Sequence, residues 1–389
     1  MSIDIDTLGE FARLADEGAD AAADALSRIS STETAVDDTG VTVVTERGLR
    51  RFADEYVGVT VGLTGSFPGT LLLACDRAGA ERLLERSPDE DPPDSTAPLD
   101  AMDRSSAKEA GHIIADAYVE GFAAGLDGPI ELTPPTYHDR IEDATLLSDA
   151  PGAGALVFES ALTDGDAEFS LLTVPGRAAI DDVFTARGPD ATGVPLHTLA
   201  TFDRVVREGA TEAAGLLSTA TGIEATVDAS RVRLAPVDRL TATIGDDPVA
   251  GTVFGLNDGR DGYLAMLFEK GDARAIADAR LPVDDPGSLD DLHSSTIQEL
   301  SSVLTSGFID GWRDVFDARV GHTPPAFVAG AGNTVLDPVL GRIERQRDHT
   351  FVVEARLRAA DREFACDVLA LPADHRFTER GSLRHSGRN

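Results

Sequence analysis

A chain of 389 residues is long enough for two or three ordinary domains, and its 68 acidic against 34 basic side chains give a formal charge of -34. The 42% apolar content excludes a disordered acidic tail, so the charge belongs to the surface of a folded protein. A surface so short of cations argues against direct binding to nucleic acid or to an anionic membrane.

Lysine occurs only at Lys108 and Lys270, so nearly every cation is arginine. Such a surface repels itself in dilute salt and is tolerated where the Debye length falls to ~3 Å at 1 M. This fits the cytoplasm of an extreme halophile. The opening MSIDIDTLGE lacks the basic and apolar regions of a signal peptide, and no apolar run approaches the length of a membrane span, so a cytoplasmic location is expected.

In chain order, residues 7–30 carry apolar side chains at helical spacing. VTVVT (41–45), YVGVTVGLT (56–64) and GTLLLACD (69–76) are predicted strands, followed by a helix over 77–86. Proline and charge mark 87–98 as a linker, after which 99–127 is again helical. AGALVFESALT (153–163) and AEFSLLTVP (167–175) repeat a strand pair, and GRAAIDDVF closes with a helix. Cys75 and Cys366 sit in apolar strand contexts and read as buried thiols.

The chain then repeats itself. With a shift of 191, TLGEFARLADEGADAAADALS (7–27) matches TLATFDRVVREGATEAAGLLS (198–218) at 11 of 21 positions. With a shift of 190, Ser105, Glu109, Gly121 and Thr133-Pro134-Pro135 meet Ser295, Glu299, Gly311 and Thr323-Pro324-Pro325. A tandem duplication follows, with domains at 1–185 and 196–372, a hinge at 186–195 and a tail at 373–389. In the tail Arg376, Arg380, Arg384 and Arg388 recur every fourth residue, which reads as a frayed end. Each half looks built from two passes of helix, strands and short helix, an α/β arrangement in which long helices cover a pseudo-two-fold sheet.

Ser105, Glu109 and His112 share one helix face, continued by Asp116 and Glu120, while Ile113, Ala117 and Phe122 are expected to point to the core. Glu109-x-x-His112 has the spacing of half a di-iron site, but its second copy, Glu299-x-x-Ser302, lacks the imidazole, so no metal is expected. A Ser105 nucleophile with His112 as base fails on distance, since seven residues of helix separate them by ~10 Å.

Ser-x-x-x-Glu-x-x-polar on a long helix, then 22 residues and a proline, resembles the signature of the CheC family of chemotaxis phosphatases. Ser105, Glu109 and Pro135 match it, as do Ser295, Glu299 and Pro325, and GSFPGTLLLACDRAGAERLLE and GALVFESALTDGDAEFSLLTVPG are similar to the family's strand–helix segment and closing hairpin. The resemblance implies a fold of two tandem CheC-like domains. It also implies hydrolysis of the aspartyl phosphate of the response regulator CheY, with the receptor deamidase CheD as a further partner. No cofactor of the chain's own is implied; Mg is expected on the partner receiver domain. The family's glutamate pairs with a receiver lysine and its asparagine orients the attacking water, a positioning task because an acyl phosphate is already activated. Here the asparagine is replaced by His112 in the first half and Ser302 in the second. Two outcomes are therefore open: a weak phosphatase working through Glu109 and His112, with Glu299 and Ser302 weaker, or an inactive adaptor that binds CheY or CheD.

Overall fold

The computed structural model describes residues 2–44, 57–84, 99–126, 128–141, 155–185, 193–222, 224–240, 244–256, 262–280, 291–316, 321–345, 348–359 and 365–372. The sequence-assigned linker, most of the hinge and the arginine-bearing tail lie outside the described residues. The chain divides into two compact units, Met1–Leu196 and His197–Asn389.

In the first unit, α1 (Ile5–Ser30) starts where the Asp4 carboxylate accepts from the Thr7 N–H at 2.9 Å, which satisfies one of the donors a helix start leaves open. Strands β1 (Ala35–Val44), β2 (Val57–Gly65) and β3 (Gly69–Cys75) follow, then α2 (Arg77–Leu83) and the second long helix α3 (Ala101–Phe122). Asp100 caps α3 by accepting from Met102 and Asp103 N–H groups at 2.7 and 2.9 Å. Short strands β4 (Ile130–Leu132) and β5 (Thr136–His138) precede the hairpin β6 (Ala155–Thr163) and β7 (Glu168–Pro175).

The sheet runs β1-β6-β7-β3-β2-β4, with β5 also on β2, and every one of these pairings is antiparallel. Hairpins β6–β7 and β2–β3 meet at the β7–β3 pair, each flanked by a strand that follows a long helix. That order is the two-pass arrangement about a pseudo-two-fold between β7 and β3.

The long helices cross almost backbone to backbone. A Cβ on Gly18 would lie 2.7 Å from the Tyr118 carbonyl oxygen, and one on Gly121 would lie 2.8 Å from that of Glu17. Only glycine permits so close an approach. Beneath the crossing, the Phe11 ring packs 4.8 Å from Phe184 and 5.5 Å from Phe67, and Phe67 lies 5.0 Å from Phe122. Phe11–Phe67 is stacked and the other two pairs are edge-to-face, and such aromatic pairs add about 0.5–1.5 kcal/mol each beyond area burial.

The second unit has α4 (Leu196–Thr221), β8 (Ala225–Pro236), β9 (Pro248–Leu256), β10 (Gly262–Glu269), α5 (Lys270–Arg280), α6 (Asp291–Phe316), β11 (Ala326–Ala331), α7 (Asp337–Glu344), β12 (His349–Ala359) and β13 (Ala365–Pro372). Its strands run β11-β9-β10-β13-β12-β8, all antiparallel. Correspondence with the first unit extends to irregularities. The β1–β6 register shifts between Val36 and Asp38, and the β8–β12 register shifts between Val227 and Ala229, 191 residues on in each case. Gly209 lies where its Cβ would meet the Phe308 carbonyl oxygen at 2.7 Å, as Gly18 meets Tyr118. On the far face of this sheet, α7 buries Val339, Leu340 and Ile343 against Ala265, Leu267, Val352 and Leu371.

Two sequence expectations shift. The first strand begins at Ala35, six residues before the apolar run that announced it, because the bulge at Val36/Asp38 interrupts the alternation that strand reading relies on. Ile113 is exposed rather than turned to the core. The buried face of α3 is Ala107, Ala110, Gly111, Ile114, Ala115, Tyr118, Val119 and Phe122, and Ile113, four residues after Glu109, rides on the same side as that glutamate. Cys75 and Cys366 are free, buried thiols, and burial pushes both above their ordinary range.

Candidate functional site

The α3 helix lies directly on β2. A Cβ on Gly111 would sit 2.8 Å from the Val59 side chain, so the absence of a side chain there brings the helix down onto the strand. Ser105 and Glu109 consequently point outward and are exposed, and His112, one turn beyond Glu109, is half-buried. The Nδ1 atom of His112 is buried and has no hydrogen-bond partner among the described residues. An imidazole can donate from one ring nitrogen and accept at the other.

In the second unit Ser295 and Glu299 are exposed and Ser302 is half-buried. The Ser302 hydroxyl donates to the Gln298 carbonyl of its own helix at 2.8 Å. Its one proton is thereby used inside the helix, and what remains is acceptor capacity alone.

The distant prolines come back to the helix in space. Pro325 is half-buried, and its carbonyl accepts from Gln298 Nε2 at 3.0 Å, one residue before Glu299. In the first unit Pro135 is half-buried at the start of β5, and the Arg104 guanidinium near the start of α3 reaches Asp139 at 2.9 Å and lies 5.9 Å over the Tyr137 ring. These contacts tie each motif helix to the sheet edge that carries its proline.

The preceding threonine explains the position of the prolines, a role that the sequence reading missed. Thr133 N–H donates to the Gly62 carbonyl at 2.9 Å while its Oγ1 accepts from the Gly62 N–H at 2.9 Å. Thr323 makes the same two bonds to Gly255, each 2.9 Å. Each threonine therefore takes a ladder place with its own side chain, and the two prolines after it, which have no N–H to offer, stand outside the ladder, just before the strands Thr136–His138 and Ala326–Ala331. The signal was present in the sequence, since Thr-Pro-Pro is what recurs, but a reciprocal bond to a glycine some 70 residues earlier has no local signature.

Ser105, Glu109 and His112 thus lie on one motif helix and Ser295, Glu299 and Ser302 on the other; Pro325 is bonded to its helix through Gln298, and Pro135 directly precedes the strand that carries Tyr137. Among the described residues no group of three His, Cys, Asp or Glu side chains is arranged to hold a metal ion, and no helix is long and apolar enough to cross a membrane.

No family model matches the chain. Over 184 residues it is 26% identical to CheC1 of Halobacterium salinarum, a protein assigned as a CheY-P phosphatase; the match covers 47% of this chain and 93% of that protein. Among solved structures it is similar to Thermotoga maritima FliY, with a TM-score of 0.38 and 17% identity, covering 47% of this chain and 94% of that one. It is also similar to a CheX chemotaxis protein from Desulfovibrio desulfuricans, with a TM-score of 0.30 and 15% identity, covering 43% of this chain and 99% of that one. The resemblance read from the sequence is borne out.

Proposed function

We propose that this chain, a CheC-family chemotaxis protein, docks on phosphorylated CheY through both motif helices and accelerates loss of its aspartyl phosphate through the first alone. Glu109 and Glu299 would each engage a cation at the rim of the receiver's phosphorylated pocket. His112 would donate from Nε2 to orient the in-line water, in place of the amide the family uses. The observation that carries the difference is the commitment of the Ser302 hydroxyl to Gln298, against a His112 ring whose buried Nδ1 makes no such bond. Mg would be held by the receiver domain, and the chain supplies positioning only.

The adaptor reading is favoured for the second unit by the same bond: docking without water positioning leaves a binder of CheY, or of CheD. The experiment is phosphate release from purified phosphorylated CheY in molar salt. Wild type is expected to accelerate decay, Glu109→Ala and His112→Ala each to lower the rate at least tenfold, and Ser302→Ala to leave it unchanged. Decay no faster than that of CheY alone would remove the phosphatase and leave the adaptor.

A further inference from the structure

Four large apolar side chains are exposed among the described residues: Met102 at 78%, Ile113 at 47%, Leu292 at 49% and Val303 at 42%. A single exposed leucine carries no meaning. These four, however, occupy the same two places on the two motif helices, since 102 and 113 become 292 and 303 under the shift of 190 that aligns Glu109 with Glu299. At 100° per residue Met102, Glu109 and Ile113 fall within a sector of about 40°, and the two apolar side chains are about 16 Å apart along the axis. Leu292, Glu299 and Val303 repeat the arrangement.

We propose that each motif helix is a docking ridge with an apolar anchor on either side of its glutamate, so that one chain holds two partner molecules. The occupant is a protein surface that offers a cationic group between two apolar recesses about 16 Å apart. This rests on the docking reading above and takes activated CheY as that partner. Charge selects it over a second copy of the chain. Glu109, Asp116 and Glu120 are all exposed on the first ridge, and two such ridges face to face would oppose like charges on a chain of formal charge -34. The ridges also differ: Ser306 stands where the first has Asp116, so binding at the first ridge weakens more steeply with salt.

The test is isothermal titration of the full chain in molar salt with CheY held in its active form by beryllofluoride. Wild type is expected to bind two CheY molecules. The pair Met102→Gln/Ile113→Thr should weaken one site on the order of a hundredfold and leave one; Leu292→Gln/Val303→Thr should do the same to the other; and all four together should abolish binding. All four substituted side chains are exposed, so melting curves of the variants are expected to overlay wild type. Two sites of unchanged affinity in every variant would overturn the anchors while leaving the docking reading intact. No binding by wild type would overturn both. Self-association of wild type that the fourfold variant abolishes would make a second copy the occupant and overturn the assignment to CheY.

Discussion

The two units share strand order, bulge position and helix crossing, yet they differ in side-chain chemistry on one strand pair, at the helix–sheet contact and at the motif. On the far strand pair, Glu159 stands opposite Gly40 in the first unit, whereas Glu354 stands opposite Arg231 in the second. Two residues on, Thr42 occupies the place that Arg233 takes. Where the first unit sets Gly111 against Val59, the second has Ser301 and Thr252 at the matching positions. At the motif itself, His112 becomes Ser302. A fold repeated in one chain therefore tolerates exchange of core chemistry as long as the backbone approaches that define the crossing are kept.

The largest effect should come from the ion cluster. Arg233 has 3% and Glu354 12% of its side chain exposed, and Glu354 receives Arg233 Nε at 2.8 Å and also pairs with Arg231. Burial alone would raise the Glu354 pKa, but the Arg233 and Arg231 charges and their hydrogen bonds outweigh it and hold the carboxyl below its ordinary value. Glu354→Gln leaves a buried arginine uncompensated and should destabilise the second unit by ~3–4 kcal/mol. Glu159→Gln, with glycine opposite, should cost less. Because the folded-state pKa is depressed, the stabilisation is fully present above the ordinary glutamate pKa and is lost as pH falls through the lower, folded-state value. Hydrogen exchange of β8 and β12 amides in the full chain, followed from neutral pH downward, measures both; equal losses in the two variants would show that the cluster contributes nothing special.

The helix crossings should respond alike. Gly18→Val and Gly209→Val each drive a side chain against a carbonyl oxygen at 2.7 Å, and a backbone atom cannot rotate away, so each should cost about 3 kcal/mol in its own unit. A much smaller loss for Gly209→Val, read by exchange of the α4 and α6 amides, would mean that the second crossing is looser than its twin.

The motif difference is tested by restoring the family's amide. Ser302→Asn frees the Gln298 carbonyl and offers both a donor and an acceptor, and should raise phosphate release by the second unit, measured in a Glu109→Ala background, by on the order of a hundredfold. No gain would show that water positioning is not what the second unit lacks.

Much of this was legible in the sequence. In the first half the long helices and the strands β2, β3, β6 and β7 were placed within a few residues because apolar spacing reports burial directly, and the duplication aligned Glu109 with Glu299 without any structure. What escaped was non-local or out of phase. Ile113 was assigned to the core because it is apolar, although its spacing of four from Glu109 already put it on the exposed face. The Thr133–Gly62 and Thr323–Gly255 clamps join residues far apart in the chain. The acidic start of β1 hid behind a bulge. The back-bond of Ser302 to Gln298, on which the proposed difference between the units rests, is visible only in coordinates.

The smallest effect tests whether the polar exchange at the helix–sheet crossing is a cost or a function. Ser301 and Thr252 are fully buried, and neither Ser301 Oγ nor Thr252 Oγ1 has a hydrogen-bond partner among the described residues. A buried hydroxyl left unsatisfied costs about 1–3 kcal/mol, and removing it without opening a cavity recovers part of that. Thr252→Val keeps the shape and should stabilise the second unit by ~1 kcal/mol, with Ser301→Ala adding a similar or smaller gain. The opposite sign in a thermal melt of the full chain would mean that these hydroxyls are satisfied by water trapped beneath α6, and that the second unit has exchanged a dry crossing for a hydrated one.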